Sequence, residues 1–199
     1  MKKIFIIGAG GHAKTCIDVI ESKNDFKIMF LVDKNSKKNF FKYKVFKEKE
    51  FLKENIKNKN ILIGVGQIKN AQIRKKLFNR YKKFGCKFPN IISNFSYISR
   101  NSLLTEGILV SHGVIINANV KIGLNCIINS SALIEHDVVV GNHCHISTGA
   151  LVNGGVQIDS STFIGSGAII KEGTKIGRNC IIGAGQIIKK DIKPNSILK

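Results

Sequence analysis

The chain has 199 residues, with 32 Lys/Arg against 13 Asp/Glu and a formal net charge of +19. That length suggests one or two domains, and no apolar run approaches the roughly twenty residues of a membrane-spanning helix. The charge invites nucleic acid, but residues 1–90 carry 23 of the basic residues against seven acidic ones, while residues 91–199 carry nine against six. The excess is scattered, mostly lysine and without interleaved aromatics, so a solvated surface meeting anionic small molecules is preferred over a nucleic-acid groove. The apolar run Ile4 to Ile7 is too short for a signal-peptide core, which points to a cytoplasmic protein. The cysteines Cys16, Cys86, Cys126, Cys144 and Cys180 are odd in number and form no CxxC pair, so neither a disulfide framework nor a zinc knuckle is indicated.

Two domains follow from the chain in order, 1–90 and 91–199. In the first, Lys2 to Ile7 reads as a buried strand. It runs into Gly8-Ala9-Gly10-Gly11-His12-Ala13 and an amphipathic stretch from Lys14 to Glu21. Strand, glycine turn and helix present backbone N–H groups to a phosphate. A second strand, Lys27 to Val32, ends at Asp33, where an acidic residue often contacts ribose. Asn60 to Val65 is a third strand, running into Gly66, and a short one near Lys87 to Ile92 leads onward. Together this is a Rossmann-like βαβ unit, about half of a doubly wound dinucleotide domain. Phe40, Phe41, Tyr43 and Phe46 read as core or strand residues. Ile68 to Phe84 reads as a helix with Ile68, Ala71, Leu77, Phe78 and Tyr81 on its apolar side. Arg74, Lys75, Lys76, Arg80, Lys82 and Lys83 then form its solvated face.

From Ile92 to Ile188 every sixth residue is aliphatic, and most are β-branched. A period of six fits neither a helix nor an amphipathic strand. It is the period of a parallel β-helix, whose short rungs are joined by turns. Gly123, Gly141, Gly165, Gly177 and Gly183 follow these aliphatics directly, as residues suited to the turn conformations of each corner. Four places past each aliphatic the residue is usually small. Cys126, Cys144 and Cys180 occupy that phase at multiples of eighteen and are expected to stack on one inner wall.

The repeat resembles the hexapeptide acyltransferases, in which three hexapeptides make one eighteen-residue coil of a left-handed β-helix. Roughly five coils fit. The Gly8 to Ala13 turn, Asn129-Ser130-Ser131, Glu135-His136-Asp137 and His145-Ile146-Ser147-Thr148-Gly149-Ala150 narrow the resemblance. They look like the bacterial nucleotide-amino-sugar N-acetyltransferases and sialic-acid O-acetyltransferases, the PglD/NeuD-like family. That resemblance implies a homotrimer with acetyl-CoA between neighbouring β-helices and a nucleotide sugar on the N-terminal domain. It implies His136 as catalytic base with Asp137 as its carboxylate partner, and His145, Gly154, Ser166 and Ala184 along the acetyl-CoA site. Gly10, Gly11, His12, Asp33 and Gly66 match its nucleotide-sugar pocket, and no metal is implied. Relatives continue past the last coil with a Gly-x-Pro-Ala segment, whereas Pro194 to Lys199 follow a different pattern.

The chemistry asked of these residues is specific. A sugar amine attacking a thioester sheds a proton, which histidine accepts near neutral pH. A carboxylate on the other ring nitrogen fixes the tautomer, and a backbone N–H such as that of Gly154 can face the oxyanion. The expected activity is acetyl-CoA-dependent N-acetylation of a UDP- or dTDP-linked 4-amino-dideoxy sugar for surface-glycan synthesis. Sialic-acid O-acetylation is the alternative. Further rivals are a zinc β-helix of the carbonic-anhydrase type built on His112, His136, His143 and His145, a non-catalytic nucleotide-binding trimer, and an NAD oxidoreductase.

Overall fold

The computed structural model describes residues 1–35 and 39–199. Its first part holds β1 (Lys2–Ile7), α1 (Gly11–Glu21), β2 (Phe26–Asp33), β3 (Asn39–Phe40), β4 (Tyr43–Lys47), the short α2 (Glu48–Phe51), β5 (Asn60–Ile63) and α3 (Gln72–Lys83). They build one sheet in the order β3-β4-β2-β1-β5, with only β3 antiparallel to its neighbour. β1 is central and apolar on both faces, as a covered parallel strand must be. Ile4 and Ile6 pack with Cys16, Ile17 and Ile20 of α1 on one side. Phe5 and Ile7 pack with Phe51, Phe78 and Tyr81 on the other. This alternation follows from the two-residue period of a strand.

α3 departs from its predicted form. It begins at Gln72, where Asn70 Oδ1 accepts the Gln72 N–H at 3.0 Å, and Ile68 lies before it, exposed. The predicted solvated face is broken at Arg74, which is only 1% exposed. Its neighbours Lys75 and Lys76 do face solvent. A 3.6-residue period puts Arg74 one turn before Phe78 and two before Tyr81, on the buried stripe.

The second part is a left-handed β-helix of two-residue rungs. Its first face holds seven rungs, starting at Ile91–Ile92, Leu109–Val110, Ile127–Ile128 and His145–Ile146. The second holds six, including Leu133–Ile134 and Leu151–Val152, and the third five, including Val139–Val140. The coils number closer to six than to the five expected. Rungs pair in parallel eighteen residues apart, as in Ile115 with Leu133. The tail adds a shorter coil, with Ile197–Leu198 pairing onto Ile181–Ile182.

Within each rung the second residue points inward. Ile116, Ile134, Ile146 and Ile164 are fully buried in one continuous core. Cys126 and Cys144 line it in one column, with the Cys144 N–H donating to Cys126 Sγ at 3.4 Å; Thr162 and Cys180 continue the column, the Cys180 N–H donating to Thr162 Oγ1 at 3.1 Å. All five cysteines are free and buried, and burial raises the Cys144 thiol well above its usual value. Outward residues of the first face, Ile91, Leu109 and Ile127, pack against the first domain around α1.

The corner glycines have a different cause from the one expected. The left-handed residues fall three places past each inward aliphatic: Asn119, Asn125, Ser131, Asp137 and His143 all have φ between 54° and 62°. The glycine directly after the aliphatic is required by close approach instead. A Cβ on Gly141 would lie 2.6 Å from Ser160 N on the next coil, closer than packed atoms come.

Candidate active site

His136 and His145 are nine residues apart, which is half of an eighteen-residue coil. They therefore lie on opposite sides of the prism. His136 sits on the corner between the second and third faces. His145 is the outward residue of its rung on the first face, toward the N-terminal domain.

The His136 side chain is 65% exposed, and its Nδ1 lies 2.8 Å from Asp137 Oδ2. A carboxylate accepts, so Nδ1 carries the proton and Nε2 of the neutral ring is the free acceptor. Asp137 takes a second hydrogen bond on Oδ1 from Asn119 Nδ2 at 2.6 Å. These two donors, His136 first, hold the Asp137 carboxyl below its usual range. One coil further on, Gly154 faces the ring: a Cβ there would stand 2.7 Å from His136 Cε1 and 2.8 Å from Nε2. Among the described residues no backbone carbonyl accepts the Gly154 N–H. Asn119 was not anticipated from the sequence, although its spacing of eighteen from Asp137 places it directly beneath.

The other group gathers at the domain junction. His145 is 6% exposed, and its Nδ1 lies 2.6 Å from the Gln67 carbonyl. A carbonyl only accepts, so His145 is the Nδ1–H tautomer with Nε2 unprotonated, an acceptor. Asn129 Nδ2 approaches that nitrogen at 3.5 Å, and the Phe163 ring stacks edge-on at 5.2 Å. Burial pushes His145 down to about 4. The His12 ring stands 6.5 Å away, pushed down to about 3 by burial and then by the charge of Arg74. Ser166 and Ala184 are exposed on the next corner, one coil apart. Ser166 Oγ lies 3.0 Å from Ser147 Oγ.

Gly10 and Gly11 open α1, and a Cβ on either would meet nothing within 4 Å, so the backbone there is accessible. Gly66 is close to His12, 3.3 Å from a built Cβ to its Cβ. Asp33 is turned onto the glycine turn, its Oδ2 accepting the Ala9 N–H at 2.8 Å. A cavity of about 510 Å³ opens beside these, at the carboxyl ends of β1, β2 and β5, lined by Gly8, Asp33, Val65, Lys76 and Arg80 among others. Ligands of open α/β sheets bind at such strand ends. A groove of about 580 Å³ along the third face touches none of the expected residues.

The remaining histidines are engaged separately. His112 Nδ1 lies 2.6 Å from Ser93 Oγ, and His143 Nδ1 lies 3.0 Å from Asn125 Nδ2. Among the described residues no three His, Cys, Asp or Glu side chains converge as a metal site requires. No helix among them is long and apolar enough to cross a membrane.

Residues 3–81 match the PglD N-terminal domain family, and residues 155–188 match the bacterial transferase hexapeptide (six repeats) family. A single-site mutant of perosamine N-acetyltransferase from Caulobacter crescentus, in complex with CoA and GDP-perosamine, superposes with a TM-score of 0.90. It is 27% identical, over 99% of this chain and 93% of that one. The acetyltransferase domain of PglB from Neisseria gonorrhoeae, in complex with acetyl coenzyme A, shares the fold: TM-score 0.90, 24% identity, 98% and 95% covered. WeeI from Acinetobacter baumannii shares it too, with TM-score 0.89, 24% identity and 99% and 96% covered. A PglD-type N-terminal domain, a hexapeptide-transferase repeat and the full-length likeness to the Caulobacter enzyme together make this chain similar to the PglD-like acetyltransferases.

Proposed function

We propose that this chain transfers the acetyl group of acetyl-CoA to the amine of a nucleotide-linked amino sugar, with His136 as general base. The observation that carries this is the stack Asn119–Asp137–His136 under Gly154. It leaves Nε2 of an exposed ring without a partner, packed against Gly154, whose N–H no backbone carbonyl among the described residues accepts. His136 Nε2 takes the amine proton as the nitrogen attacks the thioester carbonyl, and Asp137 stabilises the imidazolium. The Gly154 N–H is the oxyanion donor. The tetrahedral intermediate collapses with loss of the CoA thiolate, leaving an amide. The complex of the Caulobacter relative with CoA and GDP-perosamine supports both ligands.

The half-coil separation of His136 from His145 has a direct consequence. One protomer cannot bring His136 to its own glycine turn, His12 and His145. A closed ring of β-helices, here a trimer, supplies that second half from a neighbour. His145, Ser166 and Ala184 then line the acetyl-CoA arm, and Gly10, Gly11, His12, Asp33 and Gly66 hold the nucleotide sugar.

The test is thiol release from acetyl-CoA with GDP-, UDP- and dTDP-4-amino sugars beside CMP-sialic acid and free sialic acid. Turnover with an amino sugar that falls about 10²- to 10⁴-fold in His136→Ala is the expected result. Turnover with sialic acid alone moves the activity to O-acetylation, and near-normal turnover in His136→Ala ends the base assignment. Co-refolding His136→Ala with His145→Ala is expected to restore roughly a quarter of native activity through mixed rings. No recovery would mean that each site lies within one protomer.

A further inference from the structure

Arg74 is a fully buried cation that no carboxylate accompanies among the described residues. Its guanidinium is instead shared between the two domains. Nη1 donates to the carbonyls of Ile63 at 2.9 Å and Val65 at 2.5 Å, at the end of β5 and in the turn that follows. Nη2 donates to Asn125 O at 3.2 Å and Asn125 Oδ1 at 2.8 Å, on the β-helix. Burial brings the guanidinium down to about 10, so it stays charged at neutral pH. A planar fork with fixed donor directions sets both the distance and the angle between the segments it bridges.

What that bridge holds in place lies just beyond Val65. Gly66 is pressed against His12, and the next carbonyl, that of Gln67, is the acceptor for His145 Nδ1. Gln67 is 3% exposed, and its own side-chain amide has no partner on either atom among the described residues. The loop is thus tied at Val65 by Arg74 and at the Gln67 carbonyl by His145. In an unconstrained imidazole the two neutral tautomers are close in energy, so the short bond to Gln67, with only a long one from Asn129 at 3.5 Å on the other nitrogen, dominates the choice between them.

We propose that Arg74 is a positioning residue: by clamping the Val65 turn to Asn125 it seats the Gln67 carbonyl on His145 Nδ1, and so keeps His145 Nε2 the unprotonated acceptor of the ring. The catalytic part of this rests on the acetyltransferase reading; the clamp itself does not.

The tautomer of His145 is read directly by long-range proton–nitrogen NMR on nitrogen-15 histidine-labelled protein at neutral pH, without substrate, with His145→Gln identifying the signal. The native protein is expected to show one tautomer, protonated at Nδ1. Arg74→Met is expected to give mixed tautomers and to lower kcat about 10- to 100-fold, as loss of a partner that orients an active-site ring does. Arg74→Lys, which keeps the charge and part of the donor set, recovers part of both. A folded Arg74→Met protein with an unchanged His145 signal and unchanged kcat overturns the proposal, whatever its melting temperature. Should Arg74→Met not fold, Asn125→Gly carries the test. It suits the left-handed corner at φ 54° and removes one acceptor; an unchanged tautomer there also overturns the clamp. Absence of turnover in the native protein would sink the acetyl-transfer reading alone, because the NMR signal still decides what Arg74 does.

Discussion

The two histidine groups differ in what surrounds them. His136 stands on an exposed corner, with its tautomer set by Asp137, a neighbour in sequence. His145 is buried, with its tautomer set by a carbonyl 78 residues away that another domain supplies. The first group is built by the repeat itself: Asn119, Asp137 and Gly154 are aligned because coils stack every eighteen residues. The second exists only while the N-terminal domain is docked. Exposed chemistry on a regular scaffold tolerates little change at the reacting atoms but contributes little to stability. Buried chemistry at a junction couples function to folding.

The sharpest break in that contrast is Gly154→Ala. The added Cβ would overlap His136 Cε1 at 2.7 Å, so the exposed ring must swing aside. Displacing a catalytic group by about an ångström costs roughly 10² in rate, so kcat is expected to fall by that order. Only a flexible, exposed side chain is displaced, so the melting temperature should hardly move. A large loss of stability with normal kcat would show that Gly154 serves the fold and not the site.

Asp137→Asn probes the same half more gently. The amide can still accept from Asn119, but its N–H₂ opposes the His136 Nδ1–H and favours the wrong tautomer. A fall in kcat of roughly tenfold, the low end for a ring-orienting partner, is expected with KM for acetyl-CoA unchanged. Equal losses in both parameters would place Asp137 in donor binding.

The smallest effect on rate belongs to the buried half, whose response appears in stability instead. Burial holds His12 at about 3 and His143 and His145 at about 4, against 6.5 for an ordinary histidine. Above about 6.5 all three are neutral folded or unfolded, and their contribution is complete. As pH falls further, the unfolded chain binds protons that the folded one refuses, so stability drains away from about 6.5 down to about 3. Urea midpoints taken from about pH 7 to about pH 4 should decline, with a shallower decline in His145→Gln. A flat profile would mean these rings titrate normally in the fold.

Much of this was legible in the sequence, for a physical reason. The β-helix is one-dimensional, so an inward aliphatic every six residues specifies its path, and the stacking of His136 on Gly154 follows by counting. Asn119 could have been found by the same count. The cause given for the corner glycines was wrong, because left-handed backbone and lack of space for a Cβ select the same residue type at different offsets. Gly141 needs space, whereas Asp137 and His143 hold the left-handed positions. Arg74 left a weaker signal, its helical phase with Phe78 and Tyr81, which its charge overrode. It sits among Lys75 and Lys76, and its acceptors, the Ile63 and Val65 carbonyls and Asn125, are far away in sequence or carry no side-chain signal. Gln67 acts through its carbonyl, which any residue carries.

The eighteen-residue step also acts as a ruler. Asn119, Asp137 and the glycine that faces the ring are graduations on it, and their alignment depends on chain length between them rather than on what that chain contains. Removing one residue between Asp137 and Gly154 would slide every later graduation around the prism and part the base from its backbone donor. Adding a whole coil beyond Ala184 would leave the alignment intact. In this protein a one-residue length change is the severe lesion, and an eighteen-residue one outside the site is the mild one.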